Sequence, residues 1–384
     1  MLPPTEEKLA TIHIASFISS SLLGAGLLSL PRNVGEKVGT PDGWVSVLIT
    51  GLLFMLIVYV MGKLCAFYPG ETIYQYSEKI VGKGLGWIFN LFITFYFLIQ
   101  AGILVRLMSE VTKMYLLFDT PIQITIGLFL MVVIYLVFGG IYPIASLFLF
   151  ILPITMVILI IVLFLSLKTF DIKQLRPVLG LGIMPIFKGI IPSTPVYAGI
   201  EVILIISASM KDVQRAGRAS VAGLIIPILV YTMVMVVVVG SLSIAGISHY
   251  LWPTLDMIRS FEIRGLIFQR FETLFLAIWL LQIFVTIVIV FYGVVLGLSQ
   301  TFGKKINGFI FGMLPVVYVL SLIPKNVNEV MKWSDFVNTL SLILYGITFL
   351  LLLLTIVIRK KSRRNIYLES SEMEKMMNED VSLR

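Results

Sequence analysis

Charge is scarce in this sequence. Asp, Glu, Lys and Arg make up 13% of its 384 residues, against about 25% in a soluble domain. A water-facing surface cannot be built from so little charge, and 58% of the residues are hydrophobic, so the composition points to a bilayer. Cysteine is limited to Cys65, which excludes an internal disulfide and a cysteine metal cluster. With His13 and His249 the only histidines, a structural metal site is not expected. Phosphate loops, His-bearing triads and metal motifs are also lacking, so no enzyme and no cofactor is expected. Met1–Lys8 is short and acidic, without the basic region and cleavage site of a secretory signal, and the first apolar run is expected to stay in the protein. The last residues carry no prenylation or anchor signal.

What is present is a series of long apolar runs. A helix needs about 20 apolar residues to cross about 30 Å of hydrocarbon. Ten runs qualify, at 10–35, 43–65, 86–112, 121–138, 142–166, 185–209, 219–241, 273–299, 306–323 and 336–358. The fourth and fifth are separated only by Gly139-Gly140-Ile141-Tyr142-Pro143. An even number of spans places both chain ends on one side. Short connections on that side hold Lys79, Lys83, Lys211, Arg215, Arg218, Lys304 and Lys305, and Arg359, Lys360, Lys361, Arg363 and Arg364 follow the last span. The positive-inside rule therefore puts both ends in the cytoplasm. The net charge of +8 sits in loops and tail, so lipid rather than nucleic acid is the expected counter-charge. Residues 1–358 read as one membrane domain and 359–384 as a basic, polar tail.

Two spans contain residues that should not persist in a membrane helix. Span one carries Gly24-Ala25-Gly26, then Pro31 and Arg32; span six carries Gly189, Pro192, Ser193, Thr194, Pro195 and Gly199. Proline removes a backbone donor and glycine releases the chain from helical geometry. Irregular backbone at membrane depth survives only against protein or a wet cavity. The two breaks occupy corresponding positions in the halves 10–166 and 185–358, which is the sequence signature of a transporter-type binding site. Half-helix N-termini there would offer N–H groups to an anion such as a carboxylate. Alternatively, the glycines serve close packing and the prolines only kink span six.

The run Ser21-Leu-Leu-Gly24-Ala25-Gly26-Leu-Leu-Ser-Leu-Pro31-Arg32 resembles the first-helix segment of the amino acid–polyamine–organocation transporter superfamily. With Tyr68-Pro69-Gly70-Glu71-Thr72, Gln269-Arg270-Phe271-Glu272 and the basic tail, the whole chain resembles the spore germination permeases, the B subunits of GerA-class nutrient receptors. The resemblance implies an all-α polytopic protein of ten helices in two inverted five-helix repeats, like the leucine transporter. It further implies the inner membrane of a bacterial spore, an A-type receptor subunit and a C-type lipoprotein as partners, and a small-molecule germinant such as an amino acid.

In that fold the site lies between broken spans one and six, walled by spans three and eight. Candidate ligand-binding residues are Gly24, Ala25 and Gly26; Tyr96 and Gln100, four apart on span three; Ser193, Thr194, Tyr197, Ala198 and Gly199 in the second break; and Gln282 and Thr286, four apart on span eight. Unpaired polar groups in hydrocarbon cost several kcal/mol, so these side chains need partners, either a solute or one another. Glu201 follows the second break, and an intramembrane acid is a functional candidate by default. Lys188, Arg106 and His13 are its candidate partners. Arg106 and Glu110 have the spacing of an i,i+4 ion pair. Span five lacks the lysine of some proton-coupled superfamily members, and no sodium signature is evident. A germinant-sensing subunit is the reading favoured. An ion-coupled amino-acid or amine transporter, and an ion or water conduit without its own ligand, are the alternatives.

Overall fold

The computed structural model describes residues 8–24, 26–260 and 271–382; side chains are described for these residues except Phe271 and 359–382. The segment Gln269-Arg270, read above as part of a family motif, and Ala25 lie outside the described residues. Every apolar run becomes helix. Span one is α1 (Thr11–Leu22) and α2 (Gly26–Val38), and span two is α3 (Gly43–Phe67). Short α4 (Ile73–Val81) leads to span three, α5 (Lys83–Tyr115); spans four and five are α6 (Ile122–Phe138) and α7 (Ile141–Ser166). Span six consists of α8 (Met184–Ser193), a 3-10 turn (Thr194–Tyr197), a second (Ile200–Val202) and α9 (Ile203–Ile206). Span seven is α10 (Ala216–Ile247), and short α11 (Pro253–Ser260) follows. Spans eight to ten are α12 (Phe271–Phe302), α13 (Ile306–Leu322) and α14 (Val327–Ser382). α14 thus continues through the basic tail. Ser243 stands at φ +63°, which breaks span seven close to the boundary read from hydropathy.

Six helices are long and apolar enough to cross a membrane unaided, and two further bent pairs pass together. α6 and α13, at 17 residues each, rise about 26 Å at 1.5 Å per residue and complete ten spans. The bends are 57° between α1 and α2 and 45° between Met184–Tyr197 and Ile200–Ser209.

The packing repeats across the two halves. Span one lies against span seven, and span six against span two; span one touches span five, and span six touches span ten. Spans two and seven, three and eight, and four and nine pair with each other. An exchange of each span with the one five places on maps this set of contacts onto itself. An odd number of spans per repeat makes the repeats inverted, and α4 and α11 accordingly sit at opposite ends of the bundle.

Hydroxyls in the spans are mostly satisfied within their own helix. Thr155 donates to the Ile151 carbonyl at 3.0 Å, Ser220 to Ala216 at 2.9 Å and Thr348 to Leu344 at 2.6 Å. This back-bonding to the fourth residue before removes a donor from hydrocarbon without a second helix. Polar groups that depart from it mark the site.

Candidate functional site

Glu201 is 1% exposed, in the middle of the bundle, and its carboxylate is fully engaged. Tyr96 of span three donates to Oε1 at 2.5 Å, and Tyr345 of span ten donates to Oε2 at 2.9 Å. The third donor is the Gly199 backbone N–H, 2.8 Å from Oε2. Gly199 stands at φ +124°, a conformation that L side chains rarely adopt. That geometry turns the amide back toward the acid two residues later. The candidate bases are not its partners. Arg106 forms an ion pair with Glu110 at 2.7 Å, as its spacing suggested. His13 accepts from its own helix terminus through Nδ1. Lys188 lies in α8 on the far side of the break. Three neutral donors replace the expected cation. They also revise the expectation that both broken spans offer N–H groups to a ligand. At span six the chain's own carboxylate already occupies the amide end of the half-helix.

The break in span one is held by its carbonyls. Tyr231 of span seven donates to the Leu22 carbonyl, and Trp279 of span eight donates Nε1–H to Gly24 at 2.9 Å. Thr286 donates to Ser21 at 3.3 Å as well as to Gln282 in its own helix at 3.0 Å. Just beyond, Thr254 of α11 donates to Leu27 at 2.8 Å. The close fit depends on two glycines. A Cβ on Gly24 would come 2.7 Å from Thr286 Oγ1, and one on Gly26 would come 2.6 Å from Val196 Cγ1. The two broken spans therefore touch at Gly26 and Val196.

Next to this contact is a cavity of about 230 Å³. Gly26, Gln100, Ala198 and Thr286 line it, as do Asn338 and Asp335 of span ten and Trp252 before α11. Its lining on spans one, three and ten belongs to their halves remote from the chain ends. Gln100 is 6% exposed, and its side-chain oxygen has no hydrogen-bond partner. A buried orphan acceptor is rare in native structures, and this one borders empty space.

The other candidates stand around the cavity rather than in it. Tyr96 is one helical turn from Gln100 and is committed to Glu201. Tyr197 points away, to the Val47 carbonyl at 2.9 Å, and packs on Phe54 and Tyr231. Ser193 bonds back to Gly189 at 2.7 Å. Thr194 reaches Asn338 Oδ1 at 3.1 Å and so supports the wall from behind. Gln282 is 1% exposed, with neither side-chain polar atom paired. Span ten was missed as a wall. Its signal was Ser334, Asp335 and Asn338, three polar residues at the entry to an apolar run.

A family model described as "Spore germination protein" matches residues 8–330. The chain belongs to the spore germination protein family. This spore germination protein is 41% identical over 364 residues to Spore germination protein YndE of Bacillus subtilis, covering 95% of this chain and 100% of that one. It is 37% identical over 349 residues to Spore germination protein A2 of the same organism, covering 90% and 95%. Among solved structures it superposes on the nucleobase-cation-symport-1 family transporter Mhp1 with a TM-score of 0.68 at 15% identity, over 90% of this chain and 78% of that one. MhsT in complex with L-phenylalanine gives a TM-score of 0.68 at 14% identity, over 88% and 87%. At such identity the likeness concerns fold. The chain is thus a multi-pass membrane protein that shares the fold of these two structures, and its family is not one of enzymes.

Proposed function

We propose that this chain is the nutrient-binding subunit of a germinant receptor, and that it holds an amino acid in the cavity between spans one, three, six, eight and ten. The observation that carries the reading is the unpaired Gln100 oxygen bordering the cavity beside the first turn of α2. The first four N–H groups of a helix have no acceptor within it, and the helix dipole favours an anion there. A carboxylate fits the Gly26 end, and an ammonium fits the Gln100 oxygen. A volume of about 230 Å³ is below the ~300–1,000 Å³ of sites for drug-sized ligands, which suits a solute of amino-acid size. The ligand-binding set is Gly26, Gln100, Ala198 and Thr286, with Gly24, Tyr96, Ser193, Thr194, Tyr197, Gly199, Glu201 and Gln282 fixing the walls.

The signal passes to an A-type subunit and a C-type lipoprotein in the inner membrane of the spore. Both ends face the cytoplasm, as the basic connections on their side support. Residues 1–358 form the permease-like unit and 359–384 its basic tail. Ion-coupled uptake is the weaker reading, because the span-one carbonyls that would meet a cation already accept from Tyr231, Trp279 and Thr286. A receptor requires only different affinities for two conformations.

Equilibrium dialysis of the purified chain against radiolabelled amino acids tests the site. One amino acid is expected to bind saturably. Gln100→Leu is expected to weaken it about 5- to 150-fold, since a donor left unpaired on burial costs about 1–3 kcal/mol. The site assignment does not survive if no amino acid binds at millimolar concentration, or if Gln100→Leu binds with unchanged affinity.

A further inference from the structure

A second cleft lies at the opposite end of the bundle, on the side of the chain ends, between spans two and seven. It measures about 350 Å³ and is lined by Tyr59, Lys63, Asp212, Arg215, Gly217 and Arg218, with Gln214 at its edge. Its floor is set by backbone contact: a Cβ on Gly62 would come 2.3 Å from the Gly217 Cα. The two helices meet at these glycines, and the longer side chains on either side stand apart.

The charges in the cleft are unevenly used. Asp212 is paired with Arg215 at 2.9 Å. Lys63 stands over the Tyr59 ring at 5.4 Å. Among the described residues, neither Lys63 nor Arg218 forms an ion pair. Two cations therefore face the cleft with no ion-pair partner among the described residues, and Arg218 stands in the first turn of the 32-residue helix α10, whose dipole has the same sign there.

Above the cleft, toward the membrane centre, both helices expose apolar side chains at helical spacing. On α3 these are Leu52, Leu56 and Tyr59, in register with Lys63; on α10 they are Ile225, Leu229 and Met233, in register with Arg218. Successive steps of three or four residues place each set on one face. The basic cleft and the two apolar stripes are continuous, one at the depth of headgroups and the other at the depth of acyl chains.

We propose that this cleft is a binding site for the phosphate headgroup of an anionic phospholipid, with Lys63 and Arg218 as its ligands and the α3–α10 seam holding the acyl chains. Basic pockets between membrane helices have the chemistry for such headgroups. Asp212 limits the site by neutralising Arg215.

The test uses the full-length chain in mixed phosphatidylglycerol and phosphatidylcholine micelles, with retained lipid read by native mass spectrometry. Wild type is expected to retain phosphatidylglycerol selectively. At about five-fold per cation removed, a Lys63→Gln/Arg218→Gln double variant should hold it about twenty-five-fold less tightly, whereas Lys304→Gln/Lys305→Gln on the same side should match wild type. Asp212→Asn, which frees Arg215, should retain more. Equal retention by wild type and the double variant overturns the site; so does an Asp212→Asn variant with unchanged retention, should the double variant not fold. Displacement of the lipid by glycerol 3-phosphate or inorganic phosphate at equal concentration would assign the cleft to a soluble phosphate compound and overturn the lipid.

Discussion

Glu201→Leu is expected to abolish the nutrient response and to lower the melting temperature of the purified chain sharply. The substitution leaves the Tyr96 hydroxyl, the Tyr345 hydroxyl and the Gly199 amide without an acceptor, all three deep in the bundle. Hydrogen bonds between membrane helices average about 0.6 kcal/mol, and the two from Tyr96 and Tyr345 run between spans, which sets a floor of about 1 kcal/mol. Orphaned buried donors cost about 1–3 kcal/mol each, which sets a ceiling of about 9 kcal/mol. Folded proteins are stable by only about 5–15 kcal/mol, so even the middle of this range is severe. Removing both hydroxyls as well should restore part of the loss, because replacing all partners by apolar groups is close to neutral. The triple variant Glu201→Leu/Tyr96→Phe/Tyr345→Phe should therefore melt above Glu201→Leu alone. A single variant that melts with wild type, or a triple variant that melts lower still, would remove the acid from the centre of the fold.

The second large effect is expected at the crossing of spans two and seven. Gly62→Val places a Cβ against the Gly217 Cα and N, both 2.3 Å away, and against the Ala216 carbonyl carbon at 2.9 Å. A flexible side chain could yield, but backbone cannot. Overpacking a core commonly costs about 1–3 kcal/mol, and here relief requires separation of the two helices where their backbones meet. The variant is expected to fail to accumulate in membranes. Gly312→Val in span nine meets nothing within 4 Å and should accumulate normally. Immunoblots of membrane fractions distinguish the two. Wild-type levels of Gly62→Val would show that the helices do not cross this closely.

The spans and their breaks were legible in the sequence for a simple reason. Hydrocarbon thickness fixes helix length, and glycine and proline act locally, so one-dimensional patterns at Gly24–Gly26 and Pro192–Gly199 suffice. Gly139–Pro143 divides α6 from α7 in the same way, through Gly140 at φ +81°. What failed to show was direction. A span facing lipid on one side and protein on the other is apolar all round, so no amphipathic period tells which face is inward. Tyr197 and Gln100 looked alike as site residues, yet one points to span two and the other to the cavity. The partners of Glu201 were hidden for another reason. Tyr96 and Tyr345 lie 105 and 144 residues away, and a tyrosine amid leucine reads as packing. The rule that a buried acid seeks a base led to Arg106, whose charge is spent on Glu110 one turn on. Asp335 falls one residue before the tenth apolar run, 336–358. α14 begins at Val327 and carries it into the wall.

The anchoring of span one limits how this bundle can move. For span one to move as a whole, the hydrogen bonds from Tyr231, Trp279, Thr286 and Thr254 must let go together. At about 0.6 kcal/mol apiece that is a barrier contribution of about 2–3 kcal/mol before any packing is counted. Among the described residues, spans three and ten carry no such tether to span one; they meet the site through Glu201 and through the cavity rim. A solute settling against Gln100 and Asn338 would therefore draw in the periphery while the unwound strand stays still. On the proposed reading, occupancy would then register as a change of outline at the flank of the bundle, with nothing carried across.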